Sequence, residues 1–231
     1  MLAAVAAHPA ARPSDRPPLV EAPPVPGRPA ADVPRRLGDP GFRAAQHARA
    51  GEPHVAALTA LADRVAADRP GSVVPRPDPD SGGVAARVLL LHDVQPAAAV
   101  REGLLSVDAD HRAAARAWRA HAAGTLPRTT ALHWAAVPWR PRDRWLGPVV
   151  DDVRAGGRWL AEALALIEPL RVVVPLGPVA ATVVASAPVD LAARGVRVLV
   201  PGERGQAVGG TRTGFAAVDE VTLRRARDLA G

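Results

Sequence analysis

The sequence predicts an α/β domain of three layers, αβα: a doubly wound, mainly parallel four-stranded sheet with helices on both faces, carried behind an N-terminal arm. Four short apolar runs, RVLLLH, ALHWAAV, RVVVPL and VRVLVP, read as strands buried on both faces. Stretches of helical periodicity separate them, and strands alternating with helices build parallel sheets. A chain of 231 residues is long enough for one such domain with a tail.

In chain order, the segment from Pro9 to about Pro40 comes first, and most of it reads RPSDRPPLVEAPPVPGRPAADVPRRLGDP. Its prolines remove backbone donors and block helix, and its apolar residues are too sparse for a core. Residues 1–40 are therefore expected to be a disordered Pro/Ala-rich arm, and 41–231 one α/β domain. Within that domain, 41–73 is expected to hold a helix and linker and 74–231 the core. Val55, Leu58, Leu61 and Val65 recur at helical spacing between Phe42 and Asp68, with Pro70-Gly71 as a stop. This predicts one amphipathic helix. The turn-rich PRPDPDSGG leads to the first strand at Arg87. Further helices are predicted over 110–123, 149–167, 178–187 and 218–230; in the second of these Val153, Trp159, Leu160, Leu164 and Ile167 share a face. The chemistry of such a sheet sits just beyond the carboxyl ends of its strands.

Composition narrows that chemistry. All 29 basic residues are Arg, against 23 acidic ones, and Lys, Asn, Cys and Tyr are absent. The net charge of +6 permits a polyanionic partner without requiring one. Without Cys there is no disulfide framework, iron–sulfur cluster, thiolate zinc site or Cys nucleophile. His111, His121 and His133 have no metal-ligand spacing that recurs with carboxylates, so neither a metal nor a cofactor is expected. Gly156-Gly157 lies inside a helical stretch rather than in a strand-to-helix phosphate loop, and reads as a bend or a close helix contact. The start lacks a basic n-region and a continuous apolar stretch, and no window approaches a membrane span, so the cytoplasm is the expected location.

Three strand ends lead into informative loops: His92-Asp93-Val94-Gln95-Pro96, Val137-Pro138-Trp139 and Pro201-Gly202-Glu203-Arg204-Gly205. With VPRPDPDSGGVAARVLLL before them and PLRVVVPLGPVAA between them, this order resembles the uracil-DNA glycosylase superfamily, particularly its cysteine-free bacterial branch, from about Val74 to the C-terminus. The resemblance implies that fold, and hydrolysis of the bond between base and deoxyribose after the nucleotide is flipped into a pocket. It also implies DNA as partner, single- or double-stranded. The superfamily places a water-orienting carboxylate or Asn in the loop after the first strand. It reads uracil with an Asn just before a V-P-W-like segment, and steadies the departing uracil anion with a His in H-P-S-P after the last strand.

The functional letters depart from that pattern. His92, Asp93, Val94 and Gln95 stand where the related branch has glutamate, alanine, proline and glycine; Ala135 replaces the base-reading Asn, and Val200 the His. A bidentate base-reading amide supplies roughly 1–3 kcal/mol of discrimination, and a donor to developing charge roughly 2.7–4 kcal/mol. Asp93 remains as a candidate water-activating carboxylate, against a turn or cap residue; His92 is a candidate general acid, against a structural histidine. Gln95, Ala135 and Arg204 complete the candidate base site. In Trp139-Arg140-Pro141-Arg142-Asp143-Arg144-Trp145, Arg140, Arg142 and Arg144 could contact phosphates and Trp139 stack on a base, or the indoles could plug the core edge. The expected function is a divergent glycosylase-like scaffold binding nucleic acid or a base, with uracil excision weak, altered or lost. The alternatives are an N-glycosidic hydrolase of another base or nucleoside using Asp93, and a non-catalytic protein-interaction module in which the arm takes part.

Overall fold

Alternation along the apolar runs decides how the layers form. The computed structural model describes residues 33–123, 125–142, 147–202 and 213–231. In it the four runs become β3 (Val88–Val94), β5 (Ala131–Val137), β7 (Val172–Pro175) and β8 (Arg197–Val198), all parallel in the order β5-β3-β7-β8. Two-residue strands β1 (Ser72–Val73), β2 (Arg76–Pro77), β4 (Leu104–Leu105) and β6 (Arg140–Pro141) form two small ladders, β1 with β6 and β2 with β4. Among the described residues seven α-helices accompany them: α1 (Pro40–Ala48), α2 (Pro53–Asp68), α3 (Ala97–Glu102), α4 (Arg112–Ala122), α5 (Val150–Leu166), α6 (Pro178–Ser186) and α7 (Glu220–Ala230).

Successive strand residues face opposite ways, so β3, β5 and β7 each feed two cores, whereas β8, expected to be buried on both faces, is an exposed edge strand of two residues. Val88, Leu90, Val172 and Val174 pack with Ala98, Ala114, Ala117, Leu223 and Ala226 of α3, α4 and α7. Leu89, Leu91, Leu132, Trp134 and Val173 pack with Leu58, Leu61, Leu160, Leu164 and Val183 of α2, α5 and α6. Helices therefore cover both faces. The connection from β3 to β5 runs through α3 and α4 on one face, whereas those from β5 to β7 and from β7 to β8 run through α5 and α6 on the other. Because parallel crossovers keep one hand, reversing direction along the sheet moves the helices to the opposite face. The reversal falls between β3 and β7, which makes their carboxyl ends the switch point where open sheets of this kind bind ligands.

The expected single helix over 42–68 is two helices. Gly51 lies in a 3-10 turn (Arg49–Gly51), and Pro53, which has no N–H to donate, starts α2 at its first position. The folded part also begins ahead of residue 41: Arg36–Gly38 forms a 3-10 turn with Leu37 fully buried, and the Asp39 side chain accepts from Phe42 N–H to cap α1. Arg36 reaches Asp108 at 2.9 Å, and Arg128 reaches both Asp108 at 2.8 Å and Asp78 at 2.6 Å. Arg49 adds Asp80 at 2.5 Å, so a network of alternating charges ties the N-terminal helices to the amino end of the sheet. The Gly156 reading as a close contact has a direct cause: a Cβ there would lie 2.3 Å from the carbonyl oxygen of Ala136, so glycine lets α5 sit against β5.

Candidate functional site

The carboxyl ends of β3 and β5 lie side by side, with His92 paired to Ala135 and Val94 to Val137. His92 and Ala135 both point to the α4 and α7 face, and both are fully buried. Asp93, the next residue along, points to the other face.

There the half-buried Asp93 meets the N-terminus of α6. Its Oδ1 accepts from the N–H of Ala180 at 2.8 Å, with a second backbone bond from Val179. Burial raises its pKa, and the two N–H donors oppose that rise. The carboxylate thus satisfies amides that open a helix whose own residues supply no side-chain cap. Gly177 permits the approach, because a Cβ at that position would fall 2.2 Å from Asp93 Oδ2.

On the opposite face His92 begins a chain of imidazoles. His92 Nε2 lies 2.9 Å from His133 Nδ1, and His133 Nε2 lies 3.4 Å from His121 Nε2. His121 Nδ1 is 2.7 Å from the carbonyl oxygen of Leu126. A carbonyl only accepts, so His121 carries its proton on Nδ1 and offers Nε2 as acceptor. It follows that His133 donates from Nε2 and accepts at Nδ1, and that His92 donates from Nε2. His92 Nδ1 is then a bare acceptor, and it has no hydrogen-bond partner. Burial pushes the His92 imidazole down to about 3. His121 is pushed down to about 4, chiefly by burial, with the Leu126 carbonyl working against it and Arg128 reinforcing it. His133 lies well below the ordinary value because it is buried and because His92, His121 and Arg128 are near. Phe215 closes over the chain, its ring 4.5 Å from that of His92 and 5.3 Å from that of His133. The imidazoles are strung in a line, and among the described residues no group of three or more His, Asp or Glu is arranged to hold a metal ion.

Gln95 is buried in the loop after β3, where Nε2 donates to the carbonyl of Pro138 at 3.1 Å and Oε1 has no donor. Trp139 is buried with Val65, Val137 and Ala155, its Nε1 donating to Asp152 Oδ1 at 3.2 Å and the Arg69 guanidinium 4.3 Å above its ring. That is the core-edge arrangement rather than a free stacking face. Arg140 is partly exposed, pairs in β6 with Val73, and donates to the Gln95 carbonyl at 3.3 Å; Arg142 is exposed. Arg144 and Arg204 lie outside the described residues.

The sequence-predicted residues thus fall into three separate places: Asp93 at α6, His92 with Ala135 under Phe215, and Gln95 with Trp139 and Arg140 beyond β5. The switch point itself is occupied. Leu176 N–H donates to the Leu91 carbonyl and Gly214 N–H to the Leu176 carbonyl, each at 2.7 Å, which seats the 3-10 segment Gly214–Ala217 over the strand ends. Beside it a cleft of about 240 Å³ is lined by Leu176, Gly177, Pro178, Val200, Pro201 and Ala217 among others, and Val200 gives it no donor for an anion. Sequence reasoning missed the imidazole chain; the available signal was that His92 and His133 fall on the same parity of two adjacent parallel strands. No protein-family model matches the chain, and no curated protein matches it either. Among the described residues no helix is long and apolar enough to cross a membrane.

Proposed function

We propose that this chain is a uracil-DNA glycosylase-like scaffold that has lost uracil excision and retains contact with nucleic acid. The observation that carries the reading is the filling of the base-reading position. Ala135 is fully buried and has no polar side-chain atom, and the neighbouring His92 is sealed beneath Phe215. Ala135 offers a flipped base no polar atom to read its edge and, being fully buried, no open surface. Val200, standing where a donor to the departing anion is expected, lines the adjoining cleft with an apolar side chain, which supports the same reading. Nucleic-acid contact is supported by Arg140 and Arg142, which leave the carboxyl end of β5 with Arg142 exposed. The test is a panel of single- and double-stranded oligonucleotides containing uracil, hypoxanthine, xanthine or alkylated bases, assayed for abasic sites and, in parallel, for binding. The reading expects binding without release of uracil.

A second reading is favoured by Asp93 itself. Its carboxyl group is half-buried at a strand end with a raised pKa, as a group that exchanges protons with a water would be. In this reading the chain hydrolyses the N-glycosidic bond of another base. Release of a non-uracil base that Asp93→Asn abolishes would establish it.

A further inference from the structure

We propose that the His121–His133–His92 chain is an acid-sensitive latch that holds the Gly214–Ala217 segment over the switch point and lets it go when an imidazole is protonated. This goes beyond the proposed function and does not depend on it. The neutral chain tolerates one arrangement of protons, fixed by the Leu126 carbonyl at one end and leaving a lone pair at His92 Nδ1 at the other. A fourth proton finds no hydrogen-bond acceptor among the described residues. Added at His92 Nδ1, it would sit in a buried position with no described hydrogen-bond partner, beside Gly214, whose Cβ if present would lie 3.3 Å from that nitrogen. Added at His133 Nδ1 or His121 Nε2, it would face another N–H and break the chain.

Among the described residues no carboxylate acts on these imidazoles to balance the new charge. From β3 and β5 the facing groups are His92 and His133, and from α4 His121. The turn before β5 contributes Arg128, which is held by Asp78 and Asp108 and acts on the imidazoles as a further cation. The covering segment contributes Phe215 and Gly214, which carry no charge, and Asp93 faces the opposite side of the sheet toward α6. The cost of protonation is relieved by moving the element that closes the site. That element is attached through the Gly214 bond to Leu176, the Phe215 ring and the burial of Ala217 in the same core, whereas the imidazoles sit on strand and helix. Its departure would hydrate His92 and open the strand ends and the adjoining cleft.

Amide hydrogen exchange of the full chain between pH 7.5 and 5, corrected for intrinsic rates, tests the latch. Protection at residues 214–218 should fall as pH drops below about 6.5, by up to about tenfold per pH unit for each imidazole that must be protonated, while β3 and β7 stay protected. His92→Gln, which cannot titrate, should weaken that dependence. Nitrogen chemical shifts should place protons on Nδ1 of His121 and on Nε2 of His133 and His92, a readout that stands even where the variant does not fold. Protection at 214–218 that ignores pH, or that disappears together with that of β3 and β7, overturns the latch, as does a proton on His92 Nδ1 at neutral pH.

Discussion

Asp93 and His92 are adjacent in sequence and end on opposite faces of the sheet, and this shapes what a substitution at each would do. Asp93→Ala removes an acceptor from two α6 amides, and a lost cap costs about 0.5–2 kcal/mol, so a modest fall in thermal stability is expected on scanning calorimetry. The three buried imidazoles predict a larger, pH-dependent effect. Their folded pKa values lie below the unfolded value near 6.5, so the unfolded chain binds more protons in acid. Their neutral forms therefore cost nothing above pH 6.5. As pH falls from 6.5 toward the folded values of about 3 for His92 and about 4 for His121, stability is lost at about 1.4 kcal/mol per pH unit for each imidazole left unprotonated in the fold. Urea titrations at pH 7.5, 6 and 5 check this, and His133→Leu should flatten the profile. At Ala135, a fully buried methyl, the restoring change Ala135→Asn overpacks the site and should destabilise by about 1–3 kcal/mol; unchanged stability would mean that the neighbourhood holds unused space.

Among the elements, β3, β5, β7 and the helices α4 to α7 were legible because each buries an apolar face, and β8, two exposed residues, was legible only through the buried Val196 and Leu199 that flank it. What was not legible has physical causes. The strands β1, β2, β4 and β6 are two residues long and carry no periodicity of their own, and α3 is a six-residue helix of alanines and charges. The break between α1 and α2 was announced by Gly51 and Pro53 but hidden under an apolar pattern that continues through it. The site divided similarly: the loops at the strand ends could be located from sequence, whereas the alternation that sends Asp93 to α6 and His92 to His133 needs the pairing register. Leu37 shows the same limit, since a lone Leu in a proline-rich stretch gives no period, yet it is fully buried. Leu37→Ala should cost about 2–5 kcal/mol, and deletion through Asp39 at least as much, measured against the intact chain.

At the scale of the molecule, charge separates the two ends of the sheet. The amino end is held by Arg36, Arg49 and Arg128 interleaved with Asp78, Asp80 and Asp108, and the Asp108 side chain is only 2% exposed. Arg128→Met would strand those carboxylates, so a loss of about 3–5 kcal/mol is expected in denaturant unfolding. The carboxyl end carries the Arg140 and Arg142 segment. Replacing Arg140, Arg142 and Arg144 together should weaken oligonucleotide binding and reduce the slope of log affinity against log salt by up to about three; an unchanged slope would assign these residues to structure.

On the proposed reading, Ala135 fills the position where a base would be read and uracil excision is lost. Its most direct measurement is the rate of abasic-site formation from a uracil-containing single strand by the full-length chain at neutral pH, compared with the same strand lacking protein. No release above that background is expected. Rapid uracil release would contradict that reading.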